Sequence, residues 1–282
     1  MALHHVRDVI RPLTLEEAWQ RKLEHGPAAR FLGGGIDVVL YAPPTVSTLI
    51  DLEGLDLSGV REDASWISIG AMTTMTEAIE SATLGRYASG FLVRVLKAVA
   101  SPLQRNLATF GGTLGSAHPW SDVIPALLVL EAELAIYDGS ERTVALGTYL
   151  DERKAGESPV IRAIRLPKGS ESARGAFASF TRTGFDVPLL NVTCLAVVGE
   201  GAWKDVRIAI GGTPGLAKRR RDVEEELVGR PIRVEGIAAA ARSAADAIDA
   251  RDDVRASAGY RRRLARALVE RCLLEIVEGG AE

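Results

Sequence analysis

The sequence of 282 residues is poor in the side chains that build metal centres. It contains only two cysteines, Cys194 and Cys272, which stand far apart without CxxC spacing, and its four histidines show no metal-ligand spacing. An iron–sulfur cluster takes four protein ligands, usually thiolates, so neither a cluster nor a thiolate zinc site can be assembled from this chain alone. Two distant cysteines also argue against a disulfide framework.

Long apolar runs and a strong charge of one sign are lacking too. The formal net charge is -3, which gives the chain no global attraction to nucleic acids or to anionic membranes. No segment approaches the roughly 20 apolar residues of a membrane span, and the first residues lack a signal-peptide stretch. We therefore expect a cytoplasmic protein with no nucleic-acid partner and no membrane span.

Familiar catalytic and phosphate-binding motifs are also missing. The glycine-rich segments do not fit the G-x-G-x-x-G or G-x-x-x-x-G-K-[ST] patterns, which argues against the Rossmann and P-loop modes of binding. No Ser-His-Asp or Cys-His ordering and no isolated pair of carboxylates indicates a nucleophile or an acid–base pair. We predict no catalytic side chain, so any chemistry must come from a cofactor.

What the sequence does contain is a succession of strand and helix patterns. Thr14-Leu-Glu-Glu17 has capping-box spacing and predicts a helix to His25. Strands predicted at 29–32 and 48–52 flank the apolar run 36–41, giving a β-α-β-like lobe over residues 1–56. We further predict a strand at 66–69, helices at 72–81, 91–100 and 123–130, and a hairpin of strands 133–137 and 142–145 around Asp138-Gly139.

A polar stretch at 166–172 predicts a boundary between a domain 1–171 and a domain 172–282. The second domain is predicted to contain a meander of strands at 176–182, 192–199 and 203–210, followed by helices at 217–228, 234–249 and 260–278. The basic runs Lys218-Arg-Arg-Arg221 and Arg261-Arg-Arg263 fall on these helices, and we interpret them as solvated or subunit-facing surface rather than as sites of phosphate recognition. The fold class is α+β.

Two glycine-rich segments are candidates for ligand binding. Gly33-Gly34-Gly35 follows a strand, and its amides can point at an anion such as a diphosphate without side-chain obstruction. The alternative is a simple turn of the chain. In the predicted loop 108–122, Gly111-Gly112 permits close backbone approach, while hydroxyl groups and a carboxylate suit ribityl or ribose hydroxyls (Thr109, Thr113, Ser116 and Asp122). Together the segments suit a long ligand with a diphosphate centre and polyol arms, or a purely structural role.

Two further features of this loop leave alternatives open. His118 is interpreted either as a proton shuttle or ligand contact, or as a loop histidine turned to solvent. Arg105 and Asn106, just before the loop, are expected to brace it rather than to take part in chemistry.

These segments resemble a known family, the FAD-binding medium subunits of molybdenum hydroxylases such as carbon monoxide, nicotinate and xanthine dehydrogenases. The family's Ala-Gly-Gly-x-[Ser/Asp] turn corresponds to 33–37, and its Thr-Ile-Gly-Gly-Asn…Asp-Pro…Asp loop corresponds to 109–113, His118-Pro119 and Asp122. The likeness continues through Arg165-Leu-Pro167, Ala209-Ile-Gly-Gly212 and the segment 253–261, so it covers nearly the whole chain.

The resemblance implies a two-part flavin domain of the p-cresol methylhydroxylase (PCMH) and vanillyl-alcohol oxidase type, followed by a smaller domain of a three-stranded antiparallel sheet and helices. It implies FAD as the cofactor, and as partners a molybdenum-pterin large subunit and a [2Fe-2S] small subunit in a heterotrimer that can dimerise. The chain would pass electrons from the clusters to a terminal acceptor. The implied FAD contacts are Phe31, Leu32, Gly33, Gly34, Gly35, Ile36, Asp37, Val38, Ala100, Thr109, Gly111, Gly112, Thr113, Ser116, His118, Asp122, Ile161 and Thr181.

The chain departs from the family at three of these positions. Thr113 replaces the usual asparagine, His118 replaces a small polar or acidic residue, and Thr181 stands where relatives often have a lysine. Because backbone amides make most contacts with a diphosphate, we expect FAD to bind despite these changes. The alternatives are a self-standing flavoenzyme that oxidises a small molecule directly, and a flavin-free scaffold subunit.

Overall fold

A computed structural model describes residues 3–153, 158–170, 172–184 and 186–279. The strands are β1 (Asp8–Ile10), β2 (Ala29–Leu32), β3 (Thr48–Asp51), β4 (Val60–Glu62), β5 (Trp66–Gly70), β6 (Glu133–Tyr137), β7 (Glu141–Ala145), β8 (Val160–Pro167), β9 (Arg174–Phe180), β10 (Leu190–Gly199), β11 (Ala202–Gly211) and β12 (Lys218–Arg219). The α-helices are α1 (Leu15–His25), α2 (Ile36–Tyr41), α3 (Met75–Glu80), α4 (Ala82–Arg86), α5 (Phe91–Ala98), α6 (Pro102–Arg105), α7 (Phe110–Ser116), α8 (Val123–Val129), α9 (Leu146–Glu152), α10 (Arg221–Leu227), α11 (Val234–Asp246) and α12 (Ala258–Glu278).

The chain forms two compact units that alternate along the sequence. The first unit comprises Met1–Thr83, Ala100–Ser116 and Ala132–Lys168, and the second comprises Leu84–Val99, Ala117–Glu131 and Gly169–Glu282. The sequence patterns gave no sign that α5 and α8 belong with the C-terminal half. A single boundary between domains 1–171 and 172–282 stays a prediction, and residue 171 itself lies outside the described residues.

The first unit begins with a small parallel sheet of strand order β1-β3-β2. Its strands β2 and β3 run parallel and are joined through α2, which confirms the predicted β-α-β-like arrangement. Helix α1 also begins as predicted, because the Thr14 hydroxyl accepts a hydrogen bond from the amide of Glu17 at 3.1 Å. Ala18 of this helix packs with Ile50 of β3 and Val160 of β8 in a small apolar core.

The same unit contains a five-stranded antiparallel sheet of order β4-β5-β8-β6-β7. The predicted hairpin is confirmed as β6 and β7, which are joined through Asp138-Gly139. The helix predicted at 72–81 is shorter, because Thr74 and Glu77 form a capping box that starts α3 at Met75. The central strand β8 was not predicted.

The second unit contains a four-stranded antiparallel sheet of order β12-β11-β10-β9. Strands β9 to β11 confirm the predicted meander, and the short strand β12 adds a fourth member. The predicted helix 217–228 is wrong at its start, because Lys218 and Arg219 pair with β11 and α10 begins only at Arg221. Side chains of α11 and α12 form a common apolar core with the sheet, in which Trp203 is fully buried.

The interpretation of the two basic runs as solvated or subunit-facing surface is wrong for at least one arginine in each. Arg219 donates to the buried carboxylate of Glu224 at 2.8 Å. Arg261 is only 2% exposed and donates to Asp253 at 2.8 Å and to two backbone carbonyl groups. These two arginines therefore hold the second unit together, whereas Arg262 and Arg263 are exposed.

Candidate functional site

The first glycine-rich segment joins β2 to α2. Gly35 is the N-cap of the helix and has the left-handed φ of 82° that glycine adopts without strain. It has no side chain to cap the helix, so the amides of the first turn, beginning at Ile36, have no partner within the helix. Such a turn offers unobstructed backbone donors to an anionic group.

This first segment lies directly against the backbone at the start of the second glycine-rich segment, which was predicted as the loop 108–122. A β-carbon at Gly34 would overlap the carbonyl oxygen of Leu107, and one at Gly33 would lie 2.7 Å from the hydroxyl oxygen of Thr109. Side chains at positions 33 and 34 are therefore excluded by backbone and by a short, well-packed threonine. The two glycine-rich segments, distant in sequence, form one continuous side-chain-poor surface in the first unit.

Antiparallel hydrogen bonds fix the position of the second segment. The amide of Met75 donates to the carbonyl of Ala108 at 2.9 Å, and the amide of Gly111 donates to the carbonyl of Ala71 at 2.7 Å. An isolated β-bridge joins Thr74 and Thr109 between these two bonds. The end of β5 and the residues after it thus hold residues 108–111 in place.

The prediction of a continuous loop over 108–122 is wrong, because residues 110–116 form helix α7. The Thr109 hydroxyl accepts a hydrogen bond from the amide of Gly112 at 3.1 Å, and the Phe110 and Leu114 side chains are buried. The glycines here also act differently from the expectation. The amides of Gly111 and Gly112 are both used inside the protein, and a β-carbon at Gly111 would lie 2.9 Å from Ala71. Their small size therefore serves packing of α7 against β5.

Most of the predicted FAD contacts lie in this first unit. Phe31 and Leu32 are partly buried at the end of β2, and Ile36, Asp37 and Val38 form the first turn of α2. The remainder lie on α7, on β8 or between α5 and α6 (Thr113, Ser116, Ile161 and Ala100). The structure brings Gly33 and Gly34 against residues 107–109, and all of these FAD contacts stay predictions.

Three predicted contacts belong to the second unit. The ring of His118 stacks on Trp120 with centroids 4.5 Å apart, so it is not simply turned to solvent. Asp122 accepts a hydrogen bond from the Asn191 side chain at 2.7 Å, and desolvation of its carboxyl group raises its pKa to about 6, although hydrogen bonds from Asn191 and Ser179 oppose the shift. Thr181 directly follows β9 and is partly buried.

Residues that sequence reasoning missed act mainly through their backbone. Leu107 contributes its carbonyl group to the contact with Gly34, and no side-chain pattern signals such a role. Arg105 and Asn106 do brace the segment as expected: Arg105 donates to the carbonyl of Ala100 at 2.9 Å, and Asn106 accepts from the Thr76 hydroxyl at 2.7 Å. The second segment is therefore held by polar contacts on its N-terminal side.

The described residues include no group of three or more His, Cys, Asp or Glu side chains suited to a metal ion. Over the same part of the chain, no helix combines the length and apolar character needed to cross a membrane. The first segment fits a dinucleotide diphosphate, because the glycine turn presents no side chain in front of α2 and the packing of Gly33 and Gly34 on residues 107–109 fixes the position of that turn.

Comparison with known proteins gives the family. Residues 4–169 match the model of the FAD binding domain in molybdopterin dehydrogenase, and residues 175–276 match the carbon monoxide dehydrogenase flavoprotein C-terminal domain. Similar curated proteins include the carbon monoxide dehydrogenase medium chain of Hydrogenophaga pseudoflava, at 27% identity over 93% of this chain and 94% of the relative, and the nicotine 6-hydroxylase medium subunit of Paenarthrobacter nicotinovorans, at 26% identity over 96% of each chain.

Among solved structures, the carbon monoxide dehydrogenase from Hydrogenophaga pseudoflava that lacks the Mo-pyranopterin moiety of the molybdenum cofactor is similar, with a TM-score of 0.89 and 26% identity over 97% of this chain and 98% of that one. Agreement in sequence and in fold thus extends over both units. The chain belongs to the family of FAD-binding medium subunits of molybdopterin dehydrogenases, which are oxidoreductases, and its cofactor is FAD.

Proposed function

We propose that this chain is the electron-transferring flavoprotein subunit of a cytoplasmic molybdenum hydroxylase complex. In this proposal a large subunit with a molybdenum-pterin centre oxidises the substrate, and a small subunit carries electrons through [2Fe-2S] clusters to this chain. The observation that supports the proposal most is the contact of Gly33 and Gly34 with residues 107–109, which brings the two glycine-rich segments together.

The residues of this surface would hold FAD by its diphosphate. The glycine turn 33–35 is the proposed contact with the diphosphate, because Gly35 at the start of α2 has no side chain to obstruct a ligand. The Thr113 and Ser116 hydroxyls of α7 are the proposed partners of the polyol portion. His118, Asp122 and Thr181 remain proposed contacts from the second unit. When bound, FAD supplies the redox chemistry, because a flavin can take up single electrons and release a pair.

Partner subunits are proposed for two reasons. The relatives are named medium chain and medium subunit, which implies larger and smaller partners in those enzymes. A [2Fe-2S] cluster takes four protein ligands, usually thiolates, whereas this chain has only Cys194 and Cys272, both buried in the second unit. We propose a heterotrimer that can dimerise, and a division of this chain into a PCMH-type domain 1–171 and a C-terminal domain 172–282.

The test is purification of the native complex through a tag on this chain. We expect two further polypeptides to copurify with molybdenum, iron and FAD, measured by elemental analysis and absorbance. The separated chain should be reduced by artificial electron donors but should not oxidise an organic substrate. If the chain purifies alone, without metals, and oxidises an organic substrate at its own flavin, the proposal is wrong and the self-standing flavoenzyme is correct.

A further inference from the structure

Helix α7 is a poor helix by composition and depends on its surroundings. Three of its seven residues are glycine, Gly111, Gly112 and Gly115, and glycine is among the weakest helix formers. Its N-terminal end is held by Thr109 and by the bonds to residues 71–75 described above. Its last carbonyl groups have no partners within the helix and need donors from elsewhere.

Arg153 supplies these donors. Its guanidinium group donates to the carbonyl of Ser116 at 3.2 Å and, through its second terminal nitrogen, to the carbonyl of Gly115. Arg153 directly follows α9 and is 37 residues away from Ser116 in sequence. A cation at this end also complements the negative end of the helix dipole. One side chain therefore binds the end of α7 opposite to Thr109.

Arg153 is itself held in a defined place. It lines a cavity of about 340 Å³ in the first unit together with Trp19 and Tyr149. The Tyr149 side chain is buried, and its hydroxyl group lies beside the guanidinium group. The planar fork of an arginine suits two adjacent carbonyl groups, which a lysine cannot bind in the same way.

We propose that Arg153 is a positioning residue for FAD binding, which it promotes through α7 and without belonging to the binding surface. It fixes the helix that carries Thr113 and Ser116 and so keeps their hydroxyl groups in place before the cofactor arrives. This inference rests on the proposed binding surface. It predicts that loss of Arg153 loosens α7 in the absence of FAD and weakens FAD binding as a consequence.

The experiment uses the full chain after removal of flavin, with the variants Arg153→Gln and Arg153→Lys. FAD affinity is measured by titration with flavin fluorescence, and hydrogen exchange followed by mass spectrometry reports on α7 before FAD is added. For Arg153→Gln we expect an FAD dissociation constant at least about tenfold higher and faster exchange confined to α7 and its neighbours. Arg153→Lys should fall between this variant and the wild type.

Arg142→Gln is the matched control, because Arg142 lines the same cavity but pairs with Asp138 and not with α7. It should leave both measurements within about twofold of the wild type. If Arg153→Gln and Arg153→Lys bind FAD as the wild type does while Gly34→Ala binds it poorly, the surface is correct and the role of Arg153 is refuted. If Gly34→Ala also binds FAD normally, the proposed surface itself fails, and the inference falls with it.

Discussion

The α-carbon of Gly34 faces the carbonyl group of Leu107 at a separation that leaves no room for a β-carbon. This contact joins the turn after β2 to the segment before α7. Both contacting groups are backbone, so neither can move aside by changing a rotamer. The shape of the proposed FAD surface therefore depends on the absence of a single methyl group.

The first prediction concerns Gly34→Ala. The added β-carbon would force the two segments apart, which we expect to weaken FAD binding at least about tenfold and to lower the free energy of unfolding by about 1–3 kcal/mol. FAD titration and urea unfolding measure the two effects. Gly85→Ala is the control, because a β-carbon there meets nothing within 4 Å. Unchanged affinity in Gly34→Ala would show that the cofactor binds elsewhere.

The second prediction concerns the cap of α7. In Thr109→Val a methyl group replaces the hydroxyl that accepts the bond from Gly112, with little change of shape. We expect a loss of about 0.5–2 kcal/mol in the free energy of unfolding, together with weaker FAD binding. Thr109→Ser keeps the hydroxyl and should retain most of both quantities. If the valine and serine variants had the same free energy of unfolding and the same FAD affinity, the hydrogen bond of the Thr109 hydroxyl would contribute to neither.

The third prediction concerns the pH dependence caused by Asp122. Its folded pKa of about 6 lies above the ordinary value of 3.8, mainly because of desolvation, so the folded state holds the proton more tightly. The stability that this tighter proton binding gives to the folded state is fully present below about pH 4 and is lost as the pH rises to about 6. Relative to Asp122→Asn, the wild type should therefore lose on the order of 2–3 kcal/mol between pH 4 and pH 7.

Urea unfolding of both proteins across this range measures the difference, and the comparison cancels the titration of all other groups. A constant difference between Asp122→Asn and the wild type would contradict the raised pKa.

The fourth prediction concerns Arg261, which is buried in the second unit. Partial desolvation of Asp253 is outweighed by bonds from Arg261 and from the amides of Ala256 and Arg255, which together lower the pKa of Asp253 to about 2. Arg261→Gln should lower the free energy of unfolding at pH 7 by roughly 1–3 kcal/mol. This stabilisation is present above about pH 4 and is lost in the wild type as the pH falls towards 2. The exposed neighbour Arg262, changed to Gln, should have little effect in the same measurement.

The sequence allowed prediction where local pattern and tertiary contacts agree. Strand β2, the glycine turn and α2 were accessible because glycines separate two clear apolar runs. Helix α7 was not, since glycine and hydroxyl residues favour a loop and only burial of Phe110 and Leu114, with the Thr109 cap, makes it helical. Strand β12 escaped prediction because its two residues, Lys218 and Arg219, carry no strand pattern and are defined by pairing to β11.

At the candidate site, too, the sequence did not predict features that depend on tertiary contacts. Composition indicated the glycine-rich segments as candidates for ligand binding, but it could not show that the amide of Gly111 is bonded to Ala71. Nor could it indicate the carbonyl of Leu107 or the reach of Arg153 to α7, because both depend on residues distant in sequence.

The alternation of the two units along the chain constrains how the gene can be divided. A fragment beginning at residue 172 would lack α5 and α8, and with them Phe91, which packs on Gly175, and the carbonyl of Val129, which accepts a bond from Arg207. Such a fragment would expose the apolar faces that these helices cover in the whole protein. A single cut at residue 171 therefore does not separate the two compact units, because each of them is built from more than one stretch of the chain.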